Sequence, residues 1–270
     1  MNRIKASPER VMAELAGRGI RVERSHPDFP ELLAAVGLEA PGRLPAHFRG
    51  DIHAQALTSC LCGRLLSPPV GGLVLDMCAA PGGKTTHMAD LMENQGMLVA
   101  NEPSQPRQSA LSGNLSRLGV LNTVITAYQA QQFPMRQRFD HILADVPCSG
   151  EGGIRGEGLY REWAEAPPSL LDLQRKILVR GFDLLTPGGV MLYSTCTYAP
   201  EENEAALHHL LTTRDRVDVL PLEPGLPYEP GVTSWNGSRY DQRVQKSVRL
   251  YPHRVDSVGF FMAFIRRKSG

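Results

Sequence analysis

One stretch constrains this chain more than any other: Leu73-Val-Leu-Asp-Met-Cys-Ala-Ala-Pro-Gly-Gly-Lys-Thr-Thr86. Leu73, Val74 and Leu75 form a short apolar run, which reads as a buried parallel strand. Pro81-Gly82-Gly83 then interrupts it. Proline removes an N–H and glycine removes the Cβ, so the backbone can turn sharply there and approach a ligand closely. Lys84-Thr85-Thr86 opens a segment of helical character. Strand, glycine turn and helix start are the parts with which a doubly wound sheet holds a nucleotide-like ligand at its strand ends.

The ligand is not read as a phosphate. A Walker loop needs Gly-x-x-x-x-Gly-Lys-Ser/Thr. Gly83-Lys84-Thr85 matches its end, but Cys78 stands at the leading position and Pro81 lies inside the loop. The dinucleotide pattern Gly-x-Gly-x-x-Gly is also absent. S-adenosylmethionine is the nucleotide-like candidate that fits, against the alternative of an ordinary glycine-rich turn.

The remaining strands follow in alternation with helices. Ser7-Pro8-Glu9 predicts a helix start, with Ser as N-cap and Pro at the first helical position. Prolines make residues 26–50 read as loop, so residues 1–50 are expected to be a small N-terminal extension, and residues 51–270 the main domain. Helices are expected over 54–66, 85–92, 104–118 and 170–185, and another opening at 200–204. Strands are expected at 73–75, 97–100, 122–126, 139–144, 190–193, 217–220 and 259–265. That pattern predicts an α/β fold: a seven-stranded, mostly parallel sheet with helices on both faces. The strand ends then share one rim. Asp76–Gly83, Glu102, Asp145–Gly150 and Thr195–Thr197 converge there, which lets Cys148 and Cys196 meet. The glycine-rich residues 150–158 are expected to be a mobile loop over the site.

Composition narrows the class. The chain has 270 residues, 42% of them hydrophobic, and a net charge of +1. No apolar run is long enough to span a membrane, and Met1–Glu9 lacks a secretory signal's apolar core. Five cysteines, an odd number, do not suggest a disulfide framework; a reducing, cytoplasmic setting is expected. Cys60 and Cys62 lack a second ligand pair, so no metal is expected. From Arg239 onward eight basic residues face two acidic ones, a net +6. Such a patch either contacts phosphates or is a solvated tail.

These motifs resemble the RNA cytosine-C5 methyltransferases of the NOL1/NOP2/Sun group. Asp76-Met-Cys-Ala-Ala-Pro-Gly-Gly-Lys-Thr85, Asp145-Val-Pro-Cys-Ser-Gly150, Tyr193-Ser-Thr-Cys-Thr197 with Glu201-Glu202-Asn203-Glu204, Tyr251-Pro-His253 and Gly259-Phe260-Phe261 occur in the family's order. The resemblance implies a Rossmann-like S-adenosylmethionine methyltransferase fold. It implies that Cys196 is the nucleophile that adds to cytosine C6, and that Cys148 is the second cysteine, which assists product release. Asp145 would hold the N3/N4 edge of the base, with Lys84 near both. For the cofactor it implies the loop Cys78, Ala79, Ala80, Pro81, Gly82, Gly83 and Lys84, with Glu102 on the ribose, Arg107 from the Asn-Glu-x-Ser-x-x-Arg segment, and Asp145. Where the family usually has Asp near the adenine, this chain has Tyr128-Gln129; Gln129 can still hydrogen-bond an adenine edge through its amide.

The expected activity is methylation of C5 of cytosine in structured RNA, tRNA or rRNA, with a partner protein as a second means of substrate delivery. The competing reading is an RNA-binding or assembly protein that kept the fold with weak catalysis. A small-molecule or protein methyltransferase rarely needs two cysteines on the rim. A DNA cytosine methyltransferase would carry its nucleophile after the fourth strand, not in Thr195-Cys196-Thr197.

Overall fold

The computed structural model describes residues 1–26, 28–38, 40–153 and 166–269. Ser7 caps the first helix: its hydroxyl accepts the Arg10 amide, and α1 runs Pro8–Ala16. Residues 26–50 hold more order than their prolines suggest. Strands β1 (Arg21–Arg24) and β2 (Leu33–Val36) pair antiparallel, and α2 (Pro45–Arg49) follows. Strand β1, Arg21-Val-Glu-Arg24, holds a single apolar residue, so it offers no apolar run to read as a strand. Asn2 donates to the Gly50 and Leu118 carbonyls, and Arg3 pairs with Asp90, so this segment is tied to the helices behind the glycine loop.

Helix α3 (Leu57–Leu66) leads into β3 (Leu73–Asp76), α4 (Gly83–Leu91), β4 (Met97–Asn101), α5 (Gln105–Leu118), β5 (Thr123–Thr126) and β6 (Phe139–Asp145). Then come α6 (Pro168–Leu184), β7 (Leu185–Thr195), α7 (Glu204–Thr213) and β8 (Val217–Leu220). Two-residue strands β9 (Glu229–Pro230), β10 (Ser234–Trp235) and β11 (Ser238–Arg239) precede β12 (Val248–Leu250) and β13 (Phe260–Arg267). Residues 154–158 of the expected loop lie outside the described residues. Among the described residues no helix is long and apolar enough to cross a membrane.

The main sheet has the order β5-β4-β3-β6-β7-β13-β12-β9, with β8 also paired to β13. Strands β3 to β7 are parallel to one another, and β13 runs antiparallel to β7. All seven expected strands are present, and β12 and β9 enlarge the sheet to nine. Strand β13 has room for two neighbours on one side: β12 along Phe260–Met262 and β8 along Phe264–Arg267. The segment Pro187-Gly188-Gly189, expected to follow a helix end, belongs to β7, which starts at Leu185. A shift in register between Phe139 and His141 of β6 absorbs it.

Alternation along the strands decides the layers. Leu75, Ile142, Met191 and Tyr193 pack with α6 and α7, while Val74, Leu143 and Leu192 pack with α3 and α4. Both faces are covered, which is why these strands read as continuous apolar runs. The strand order reverses beside β3, since the chain goes first to β4 and β5 and then back across to β6 and β7. A crevice opens at the strands' C-terminal ends at such a reversal.

Five of the eight C-terminal basic residues are held by partners within the fold. Arg243 pairs with Asp241, Arg254 with Glu229 and Arg266 with Asp218, and Arg267 donates to the Asp183 and Leu185 carbonyls. Arg249 is buried and makes two 2.6 Å bonds to the Glu204 carboxylate, itself fully buried. Linear charge counting missed three of these pairs because the carboxylates of Glu204, Asp218 and Glu229 lie upstream of the patch. Removing one member of a buried pair strands the other charge. Arg249→Ala should therefore lower unfolding free energy by about 3–5 kcal/mol in urea titrations.

Candidate active site

The site is set by strand register. Asp145, the last residue of β6, pairs with Ser194 near the end of β7. Cys148 and Cys196 follow three and two residues later, so both loops leave the sheet at the same height. Their sulfurs stand 3.3 Å apart, and the Cys196 amide also donates to Cys148 Sγ at 3.3 Å. The hydrogen bond from Cys148 holds Cys196 below its ordinary thiol value, against the opposing effect of burial. The same bond, with burial, pushes Cys148 well above its own. Burial raises the other three: Cys60 to about 11, Cys62 to about 12, and Cys78 well above the usual range. Of the five cysteines, Cys196 is the one held below its ordinary thiol value.

Lys84 reaches the same point from α4. Its Nζ is 2.7 Å from Asp145 Oδ2, and Ser194 donates to Asp145 Oδ1 at 2.7 Å. Burial acts to lower the Lys84 pKa, but the Asp145 carboxylate outweighs it and holds the ammonium above its ordinary value. The aromatic face of Phe260 lies 5.4 Å from Nζ.

The glycine loop runs between two cavities. One, a cleft of about 740 Å³ open to solvent, is bordered by Cys78, Ala80, Glu102, Arg107, Gln129, Asp145, Cys148 and Cys196. The other, about 510 Å³, is bordered by Ala79, Pro81, Gly83, Lys84 and Asp145 from the sequence-derived set, together with His53 and Gln55. Gly82 borders neither cavity. Its φ is +106°, and a Cβ there would lie 3.0 Å from the Leu111 side chain, so it serves the turn and the packing on α5.

Glu102 is 1% exposed. Its Oε1 accepts the Ser104 amide at the start of α5, and its Oε2 lies 3.0 Å from Arg107 Nη1 without a hydrogen bond. Arg107 also donates to the Ala80 carbonyl at 2.9 Å, which fixes the loop against α5.

The family model described as 16S rRNA methyltransferase RsmB/F matches residues 64–266. The chain belongs to this family. It is 36% identical over 232 residues to the tRNA (cytosine(49)-C(5))-methyltransferase of Pyrococcus abyssi (strain GE5 / Orsay), covering 84% of this chain and 73% of that one. It is 40% identical over 240 residues to ribosomal RNA small subunit methyltransferase F of Serratia proteamaculans (strain 568), covering 84% of this chain and 47% of that protein. The chain thus spans about half the length of some relatives. A crystal structure of a methyltransferase homolog protein from Pyrococcus horikoshii superposes with a TM-score of 0.83 at 32% identity, covering 98% of this chain and 84% of that one. The fold is that of the S-adenosylmethionine-dependent methyltransferases.

Several residues of this RsmB/F chain's site escaped the sequence reading. Ser194 sits inside a quoted motif, but its bond to Asp145 follows only from register. Asn203 brackets the Cys196 loop: it accepts from Thr195 Oγ1 at 2.6 Å and donates to the Thr197 carbonyl at 3.0 Å. His53 accepts from Arg117 at Nδ1, since a guanidinium only donates. Burial and that cation lower its pKa to about 4, so it is neutral at pH 7. No sequence motif marks it.

Asp76, at the end of β3, anchors the loop. It accepts from Thr85 Oγ1 at 2.7 Å and from the Cys78 amide at 3.4 Å. Burial pushes its pKa up to about 7 from 3.8, with the Thr85 bond opposing. A raised carboxyl binds its proton more tightly folded than unfolded, so its contribution falls as pH rises from 3.8 to about 7. The stability of wild type minus that of Asp76→Asn should therefore fall as pH rises across that window in pH-dependent urea titrations. A second outcome concerns the thiols. Cys148→Ala removes the bond that favours the Cys196 thiolate, so the pH midpoint for iodoacetamide alkylation of Cys196 should move upward.

Proposed function

We propose that this chain methylates C5 of cytosine in structured RNA, tRNA or rRNA, through a covalent bond between Cys196 and cytosine C6. The observation that carries the proposal is the thiol pair: two sulfurs at 3.3 Å, with Cys196 alone held below the ordinary thiol value, beside Lys84 and Asp145. The P. abyssi and S. proteamaculans relatives are named for tRNA cytosine-C5 and ribosomal RNA methylation.

The chemistry explains the residues. C5 of cytosine is a poor nucleophile. The Cys196 thiolate gives its electron pair to C6, and the C5=C6 π pair moves into the ring, leaving C5 enamine-like and able to attack. Asp145 accepts from the N4 amino group and holds the N3/N4 edge, and Lys84 stabilises the charge that develops there. When bound, S-adenosylmethionine supplies the methyl group as an electrophilic methylsulfonium. Loss of the C5 proton to a base then returns the electron pair to C5=C6 and expels the Cys196 thiolate. The Cys148 thiol, hydrogen-bonded to that sulfur, lowers the leaving thiolate's basicity and so speeds its departure. A cytosine inside a helix has to be extruded to meet these groups.

The residues at the first cleft suit the methyl donor. Glu102 has a buried oxygen with no hydrogen bond, as a ribose-hydroxyl acceptor needs. Gln129 offers an amide to an adenine edge, and Cys78 and Ala80 supply the loop wall. Arg107 acts on this cleft by fixing the Ala80 carbonyl and the Glu102 carboxylate.

Bisulfite sequencing of tRNA and rRNA from cells with and without the gene tests the proposal. One protected cytosine should be lost and restored by wild type. Cys196→Ala should not restore it, with turnover at least ~10³-fold down, as for removal of a covalent nucleophile. Cys148→Ala should accumulate an RNA adduct through Cys196, visible as a shifted band in denaturing gels. No change at any cytosine would favour an RNA-binding protein with weak catalysis.

A further inference from the structure

One buried carboxylate next to the thiols has no part in that chemistry. Glu202 lies between the Cys196 loop and α7 and is 0% exposed. Its Oε2 accepts the Ser149 amide at 3.0 Å and Gln174 Nε2 at 2.7 Å; its Oε1 lies 3.4 Å from the Thr197 hydroxyl, a donor to it. Ser149 follows Cys148, and Thr197 follows Cys196. The two neighbours are also joined directly, since Ser149 Oγ donates to Thr197 Oγ1 at 2.8 Å. Gln174, equally buried on α6, donates to the Pro147 carbonyl at 2.9 Å, so the Cys148 loop is held from both ends. Tyr193 of β7 donates to the Glu202 carbonyl at 2.7 Å, which anchors the clamp to the sheet.

We infer that Glu202 is a positioning residue that sets the distance between the two thiols by clamping Ser149 and Thr197. Three donors converge on this one side chain, and only a carboxylate is acceptor-only with two oxygens to receive them. Burying a carboxylate is costly unless such charge-assisted bonds repay it. Full burial keeps it from substrate and cofactor, so it acts through the cysteine loops. For catalysis the inference rests on the proposed roles of Cys148 and Cys196, but the thiol spacing can be read without them.

The test uses the full chain without RNA or cofactor. Diamide takes the two thiol hydrogens and leaves a Cys148–Cys196 disulfide, whose rate is followed by peptide mapping under non-reducing conditions. Wild type should form it readily. Glu202→Ala should slow it about tenfold or more, since displacements near 1 Å cost factors of that order or larger. Glu202→Gln keeps one acceptor oxygen and should fall between. Gln174→Ala, which leaves the carboxylate in place, should slow it less than Glu202→Ala. If Glu202→Ala fails to fold, the Gln variant and Gln174→Ala decide. A wild-type disulfide rate in the folded variants overturns the inference, even if their melting temperatures drop, because that is a merely structural role. With RNA, Glu202→Ala should lower kcat while leaving KM for RNA unchanged. A protein that methylates no cytosine yet shows the expected disulfide rates would retain the clamp and lose only the proposed reaction.

Discussion

The parallel pairing of β6 with β7 is the constraint on which the rest of the site depends. Because Asp145 faces Ser194 across that ladder, the two cysteine loops begin level with each other. A slip of one residue would turn Ser194 to the other face of the sheet and separate the sulfurs. The antiparallel β13 on the far side of β7 holds the same strand end, pairing Phe261 with Thr195. The Cys196 loop therefore leaves a strand fixed on both edges.

Around that ladder the fold places charge where apolar packing would be the default. Asp76, Glu102, Glu202 and Glu204 are all buried at or near the strand ends. Each is held by specific donors: Thr85, the Ser104 amide, the Ser149 amide with Gln174, and Arg249, respectively. The rim thus behaves as a polar network over an apolar double layer. Where the carboxylate is fully bonded, as at Glu202 and Glu204, such contacts favour one arrangement, because losing a donor leaves a buried charge without its partner. The lowered Cys196 value comes first from the neighbouring Cys148 thiol, while burial and the Asp145 carboxylate act against it.

Local pattern carried the layered α/β architecture. Apolar runs at 73–75, 97–100 and 139–144, the glycine turn after β3 and the helices that follow β3, β4, β6 and β7 are short-range features, and all seven expected strands appear. Strands β1, β9 and β12 did not show, since β1 and β9 hold no apolar run, β12 is three residues long, and each depends on the strand it pairs with. The charge count over the C-terminal basic patch was incomplete for a related reason. Charge counted along the chain does not register acidic partners that lie elsewhere in the sequence, such as Glu204 against Arg249.

The sequence by itself determined which groups could do chemistry: the glycine loop, two cysteines after strands, a lysine and a carboxylate. It determined this because residue type and short spacing are properties of the covalent chain. Tertiary structure alone decided how those groups differ from one another. Cys196 and Cys148 are the same residue type, and only a 3.3 Å contact makes one the favoured thiolate and the other the donor. Lys84 and Asp145 are distant in sequence and become an ion pair only across the rim. Distance and burial set the strength of such interactions, and both come from the packing of strands and helices far apart in the sequence.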